Sequence, residues 1–297
     1  MKTKKKKWKG GVQVPWYIII PGLFCSLTAH FIAPIRGAMY AFTNYKGIGS
    51  YDYIGFENFI EIFHSKIDRA AIFNTFKIAI PFVILTLFFG LLLALALKDV
   101  IKSRNVLRAI YFSPVVMIPM AVSQVWKFIF DYDGPLNIIL RNIGLSKYAI
   151  NWLGNIDTAL WCVLLVLVWQ NMGYTMVIFN AGLESIPTEL YEAAAIDGAS
   201  AWKRFRYITL PLLAPSITIA VLMMTITGLR VFDQIMSLTG GGPVNMTHTL
   251  ASDFYYQTWN KFRYGYGSAL ALILTLLVSV VGILQVTVLS RKEEAVR

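Results

Sequence analysis

Apolar runs long enough to cross a bilayer recur from one end of this sequence to the other, and no other feature constrains the fold so tightly. A hydrocarbon core takes about 20 residues of α-helix, because every backbone N–H and C=O within it must be satisfied inside the segment. Six spans are expected: Tyr17 to Tyr40, Ile78 to Leu97, Ile110 to Val125 with about a turn more, Ala159 to Phe179, Leu210 to Gly228, and Ala269 to Leu289. With 57% hydrophobic and only 14% charged residues, the chain has too little polar surface for a soluble domain. The expected fold class is an all-α polytopic membrane protein.

A net charge of +11 raises the question of nucleic acid, and the position of the charges decides it. The cations flank the spans. If the N-terminus faces the cytoplasm, the inner flanks hold Lys2, Lys4 to Lys7, Lys9, Lys98, Lys102, Arg104, Arg108, Lys203, Arg204, Arg206, Arg291 and Lys292. The outer loops are longer and sparser in Lys and Arg, as the positive-inside rule requires. Both termini are therefore expected in the cytoplasm. Residues 1–16 read as a basic segment, 17–290 as one transmembrane domain and 291–297 as a short tail. No aromatic-basic surface module supports nucleic-acid binding.

The basic start before an apolar stretch imitates a signal peptide, but Phe24 is bulky where a cleavage site needs a small residue, and the run continues past Cys25. An uncleaved first helix is expected. Cys25 and Cys162 fall on different apolar spans and read as packing residues. His30, His64 and His248 lack ligand spacing, so no metal is assigned. Span interiors carry almost no Asp or Glu, with Glu184 and Asp233 at their edges. Ion-driven carriers usually bury carboxylates near the midplane, so an external energy source is expected. No Gly-x-x-x-x-Gly-Lys-Ser/Thr phosphate loop occurs, which leaves ATP hydrolysis to another polypeptide. No Ser-His-Asp, paired-carboxylate or HExxH arrangement suggests an enzyme.

The loop between the fourth and fifth spans, residues 185–211, has the most regular pattern. Glu192-Ala193-Ala194 is followed by Gly198 and then by Ile208-Thr209-Leu210-Pro211. Pro187 suits a helical first turn, and Glu189 and Glu192 favour its positive dipole end. Tyr191 to Ile196 reads as a short helix, Asp197-Gly198 as a turn, and Ser200 to Tyr207 as a second helix before Pro211 opens the fifth span. The product is a helix-turn-helix prong, small along Ala193 to Ala195 and able to offer the Glu192 carboxylate to a partner's cation. The spacing resembles the EAA loop of ABC importer permeases: Glu-Ala-Ala, three residues, Gly, nine residues, Ile-x-Leu-Pro. The resemblance implies that Glu192, Ala193, Ala194, Asp197, Gly198, Leu210 and Pro211 couple the chain to a separate ATPase.

Further segments look like carbohydrate importer permeases of the maltose and glycerol-phosphate type. They are Trp16-Tyr17 ahead of Pro21, Ala41-Phe42-Thr43-Asn44-Tyr45, Tyr53-Ile54-Gly55-Phe56-Glu57-Asn58-Phe59, and Leu238-Thr239-Gly240-Gly241-Gly242-Pro243. The resemblance implies a bacterial cytoplasmic-membrane importer working by alternating access. Its partners are a second homologous permease subunit, two ATPase subunits that carry ATP and magnesium, and an extracytoplasmic solute-binding protein. The large insertion of the maltose-type subunit is missing, so maltose itself is not implied.

A sugar pathway needs polar groups beside flat apolar rings. Trp169, Gln170, Asn171 and Tyr174 of the fourth span offer these, with Thr227, Arg230 and Asp233 after the fifth. Asn171 and Tyr174 are three apart and share a helix face. By resemblance, Tyr174 and Thr227 fall at sugar-contacting positions, and the candidate pathway set is Asn171, Tyr174, Thr227 and Arg230. Glycerol phosphate, a polyol or an organic anion is the alternative cargo, and Arg230 and Lys127 keep an anionic one open. A secondary carrier is the reading from a different class.

Overall fold

The computed structural model describes residues 16–97 and 103–294. The basic stretch through residue 15, Lys98, Lys102 and residues 295–297 lie outside the described residues. Among the described residues the chain is helical, with one isolated bridge, Thr43 to Tyr53, in place of strands. The helices are α1 Ile19–Tyr40, α2 Glu57–His64, α3 Lys66–Ala96, α4 Arg104–Val116, α5 Pro119–Ile129, α6 Pro135–Asn142, α7 Ile156–Glu184, α8 Thr188–Ile196, α9 Ala201–Leu212, α10 Ala214–Leu229, α11 Asp233–Leu238, α12 Leu250–Tyr255 and α13 Tyr264–Glu294.

Four helices, α1, α3, α7 and α13, are long and apolar enough to cross a membrane, and two bent pairs bring the count to six. Two expected spans differ in shape from the straight helices read in the sequence. The third breaks by 98° between α4 and α5, where Met117 and Ile118 are extended ahead of Pro119. A residue before proline is driven out of the helical region, which makes this an elbow. The fifth bends by 66° between α9 and α10, beside Pro211 and Pro215, whose missing N–H groups each remove a helical hydrogen bond.

The second span begins twelve residues before the expected Ile78, because α3 starts at Lys66 behind the N-cap Ser65, whose Oγ accepts the Asp68 N–H at 3.3 Å. Its polar first turns are buried by other elements. Asn74 donates to the carbonyls of Met246 at 2.7 Å and His248 at 3.0 Å, and the Thr75 hydroxyl accepts the Leu250 N–H at 2.9 Å.

Helix α7 is the axis of the packing, with α3, α4 and α10 laid on it. Small residues set these crossings. Gly173 lies under the Tyr111 carbonyl of α4, Gly90 of α3 against Thr175, and Gly182 against Ser216 of α10, each without room for a Cβ. Lipid supplies no hydrophobic force between helices, so such close backbone approach and its dispersion contacts hold the bundle. An apolar cluster at one end joins Phe82, Val122, Val163, Leu167 and Ile235. A second at the other end joins Ala94, Met176, Phe179, Leu183 and Leu213. Helix α1 is exposed along most of its length and meets the bundle through its last turns, Ala33–Tyr40, which lie against α13.

Candidate functional site

At the second of these ends the chain leaves α7 at Ser185 and builds the prong. Pro187 is the N-cap of α8 and not its first turn, so the helix runs Thr188–Ile196, three residues longer than the sequence pattern suggests. Gly198 has φ +70 and closes the turn, a left-handed conformation that any Cβ disfavours. Ser200 then caps α9 by accepting the Lys203 N–H at 3.4 Å. Glu192, Ala193, Asp197 and Gly198 are exposed on the prong, and Ala194 is half-buried. Leu210 and Pro211 do not share that surface: they lie half-buried at its root, where α9 carries a π-turn over Phe205–Thr209. The seven coupling candidates thus divide into a presented tip and a half-buried root beneath it.

The root is fastened. Tyr191 shares a hydrogen bond of 2.9 Å with the buried Thr209 hydroxyl, and it packs with Leu183 and Ile186 against the second apolar cluster. Arg108 near the start of α4 pairs with Glu184 at 3.1 Å. Together with Asn180, Glu192 and Arg204, these residues line a hollow of about 540 Å³ under the prong. The tip also carries two large apolar side chains that the motif does not mark: Ile196 is 88% exposed and Trp202 is 69% exposed. Their signal in the sequence is faint, an apolar residue on each side of the Asp197-Gly198 turn in a loop that holds other apolar residues such as Leu190 and Phe205. Exposed together on a short lever, they suit a partner's groove.

The pathway candidates are less united. Asn171 and Tyr174 are half-buried on α7, as the shared face requires. The Asn171 amide donates to the Leu167 carbonyl of its own helix at 2.9 Å, and the Thr227 hydroxyl to the Met223 carbonyl at 2.9 Å. Thr227 and Arg230 are exposed on one face of α10, in line with Ile219 and Met223. Arg230 opens onto a cavity of about 690 Å³ with His30, Phe232, Phe254, Tyr255 and Thr275. Asn171, Tyr174 and Thr227 lie outside that lining, so the four candidates fall into two groups. Trp169 and Gln170, offered by sequence as pathway groups, are used in packing. Trp169 meets Trp126 edge to face at 5.6 Å, and Gln170 is buried among backbone carbonyls.

At the end opposite the prong lies a polar knot that the sequence reading missed. Asp68 of α3 and Asp253 of α12 are both buried and in contact, and the Tyr266 hydroxyl donates to Asp68 at 2.9 Å. Burial first, and the Asp68 carboxyl second, push the Asp253 pKa up to about 8. Arg263, held by both oxygens of Glu61, lies with its guanidinium 3.9 Å over the Tyr266 ring. The Glu61 pair keeps Arg263 firmly charged, and burial pushes the His248 ring toward its neutral form.

The profile of the binding-protein-dependent transport system inner membrane components matches residues 73–294. The multiple sugar-binding transport system permease protein MsmF of Streptococcus mutans is 34% identical, covering 94% of this chain and 96% of its own. The probable starch degradation products transport system permease protein AmyD of Thermoanaerobacterium thermosulfurigenes is 32% identical over 99% of both chains. The trehalose/maltose transport system permease protein MalF of Thermococcus litoralis is 34% identical, covering 88% of this chain and 89% of its own. Among solved structures, a bacterial ABC transporter involved in the import of the acidic polysaccharide alginate has a chain that superposes with TM-score 0.82. It covers 93% of this chain and 94% of that one at 22% identity, a likeness of fold.

Proposed function

Because the chain belongs to the binding-protein-dependent transport system inner membrane components, we propose that it forms half of the membrane pathway of an ATP-driven importer for a sugar or oligosaccharide. The chain is a non-catalytic permease subunit. The carbohydrate cargo is supported by relatives named for multiple sugars, starch degradation products and trehalose/maltose, each matched over nearly its whole length. The observation that carries the coupling role is the prong itself: an exposed tip, Glu192 to Gly198 with Ile196 and Trp202, on a root fastened by Tyr191 and by the Arg108–Glu184 pair.

In this reading residues 17–290 are the transmembrane domain, with the prong and both termini in the cytoplasm of a bacterial cell. A second homologous permease subunit faces this one, two ATPase subunits each receive a prong, and an extracytoplasmic binding protein delivers the cargo. Glu192, Ala193, Ala194, Asp197 and Gly198 dock on the ATPase. Leu210 and Pro211 transmit its motion into the bent fifth span. ATP binding closes the ATPase pair, the prongs approach one another, and the two permease halves change which side of the membrane they open to. A prong can pass only as much free energy as its contacts with the ATPase differ between the two states, so its root must be stiff. Asn171, Tyr174, Thr227 and Arg230 line the pathway, where hydroxyl-rich cargo exchanges with the weak bonds that Asn171 and Thr227 make to their own helices.

Calorimetry on the cognate soluble receptor, followed by uptake into vesicles bearing the whole complex, tests the cargo. Binding and uptake of a neutral sugar or oligosaccharide is the expected result. Preference for glycerol phosphate, a polyol or an organic anion would overturn the carbohydrate assignment and leave the importer intact.

A further inference from the structure

The elbow of the third span breaks the helical ladder inside an apolar bundle, and a single side chain donates to two carbonyls there, that of Met117 and that of Pro114, which also takes the Met117 N–H at 3.3 Å. Pro114 and Pro119 carry no N–H, and Met117 and Ile118 are extended. The Ser113 hydroxyl takes the Ile110 carbonyl at 2.8 Å, which Pro114 cannot. The Gln170 Nε2 of α7 donates to the carbonyls of Pro114 at 3.3 Å and Met117 at 3.2 Å, spanning the start of the break. Its Oε1 accepts from the Gln234 Nε2 of α11 at 2.9 Å. Both glutamines are buried. One turn along α7, Gly173 lets the α4 backbone approach, so the elbow is gripped at one point and pressed at another. Beyond the grip the elbow carries an apolar rim: Val116, Met117, Ile118 and Met120 are all exposed.

We propose that Gln170 and Gln234 are positioning residues for transport, an amide relay that fixes the apolar elbow of the third span relative to the fourth span and to the segment after the fifth. The inference rests on the reading of the chain as an importer permease. Three elements meet in the relay, and one of them, α7, carries pathway candidates, with Gln170 directly before Asn171; Gln234 of α11 follows Arg230 by four residues. Helix α4 starts at the prong end beside Arg108 and rises about 20 Å over its 13 residues, which puts the elbow in the outer half of the bilayer in the proposed orientation. An apolar rim there closes the pathway toward the outside, and its set is determined by where the glutamines hold it. The amides are suited to this because they satisfy both sides: Gln170 gives its donors to the elbow and its acceptor to Gln234, so movement of α11 is felt at the elbow directly.

The test compares Gln170→Leu, Gln234→Leu and the double variant in the complete complex reconstituted with its ATPase and receptor. The readouts are ATP hydrolysed without receptor and solute moved per ATP, on preparations matched for assembly and melting temperature. Loss of the relay is expected to raise receptor-independent hydrolysis by about fivefold and to lower solute moved per ATP, the size of effect that one or two buried hydrogen bonds support. Adding Gln234→Leu to Gln170→Leu is expected to change little, because the relay is already cut. Wild-type coupling in Gln170→Leu, or additive effects of the two substitutions, overturns the proposal. If Gln170→Leu does not assemble, Gln234→Leu decides alone, since it leaves the grip on the elbow intact: a shift in the same direction supports the relay and an unchanged ratio refutes it. A wild-type complex without receptor-stimulated hydrolysis signals instead that the importer reading has failed.

Discussion

Single residues carry two separable demands in this chain, one conformational and one electrostatic. Gly198 has open space around it and a φ of +70, so a side chain there meets strain and no clash. A β-branched replacement in the left-handed region costs about 1–2 kcal/mol, which the turn relieves by changing shape. Gly198→Val is therefore expected to leave membrane insertion unchanged and to cut receptor-stimulated ATP hydrolysis about tenfold, measured on the purified complex. Asp253 illustrates the electrostatic demand. The Asp68 Oδ1 and Asp253 Oδ2 find no donor among the described residues, and the proton that the raised pKa of Asp253 retains supplies one between the two carboxyls. The titratable groups around them are Glu61, Arg263, Tyr266 and His248, whose ring burial pushes toward its neutral form, while Lys66, Arg69 and Asp233 are exposed. A carboxyl raised from 3.8 to about 8 keeps a proton in the folded protein that the unfolded chain has released. Stability from this group thus falls as pH rises from about 4 to about 8 and then levels off. Thermal melts across that range are expected to show a falling Tm in the wild type and a flatter profile in Asp253→Asn; equal slopes would remove the shared proton from the account.

At the scale of elements, what could be read in the sequence was what repeats or punctuates. Long apolar runs announced the spans, and Pro187, Gly198 and Pro211 announced the prong, because a helix length and a turn are local properties. The 98° elbow was not visible: Pro119 marks a boundary, but only the carbonyls taken by Gln170 show that the break is built into the bundle. The early start of α3 was hidden for the opposite reason. Asp68 and Asn74 read as loop residues until α12 and the 246–248 segment bury them. Gln170 and Trp169 read as pathway groups because side-chain chemistry alone does not reveal which face of a long apolar helix is already occupied. Packing at this scale gives its own prediction. Gly173 faces the Tyr111 carbonyl, a backbone atom that has no rotamer to escape into, so Gly173→Val is expected to push α4 from α7 and destabilise by more than about 3 kcal/mol. A drop of many degrees in melting temperature checks this, and an unchanged melt contradicts the crossing.

The whole molecule is a membrane-embedded permease subunit with a helical prong that projects from one end of it. The cations near that end, Arg104, Arg108, Lys203, Arg204 and Arg206, support placing it in the cytoplasm. With Cys25 and Cys162 replaced, an Asp197→Cys reporter is expected to react with impermeant maleimide only in inside-out vesicles; labelling of intact cells would reverse the topology. The most direct test of the central claim is uptake of the receptor's sugar into vesicles containing the chain with its partner permease, compared with and without the ATPase and ATP. Uphill accumulation only when the ATPase, nucleotide and receptor are all present is the predicted result. Uphill accumulation by the membrane subunits without nucleotide would contradict it.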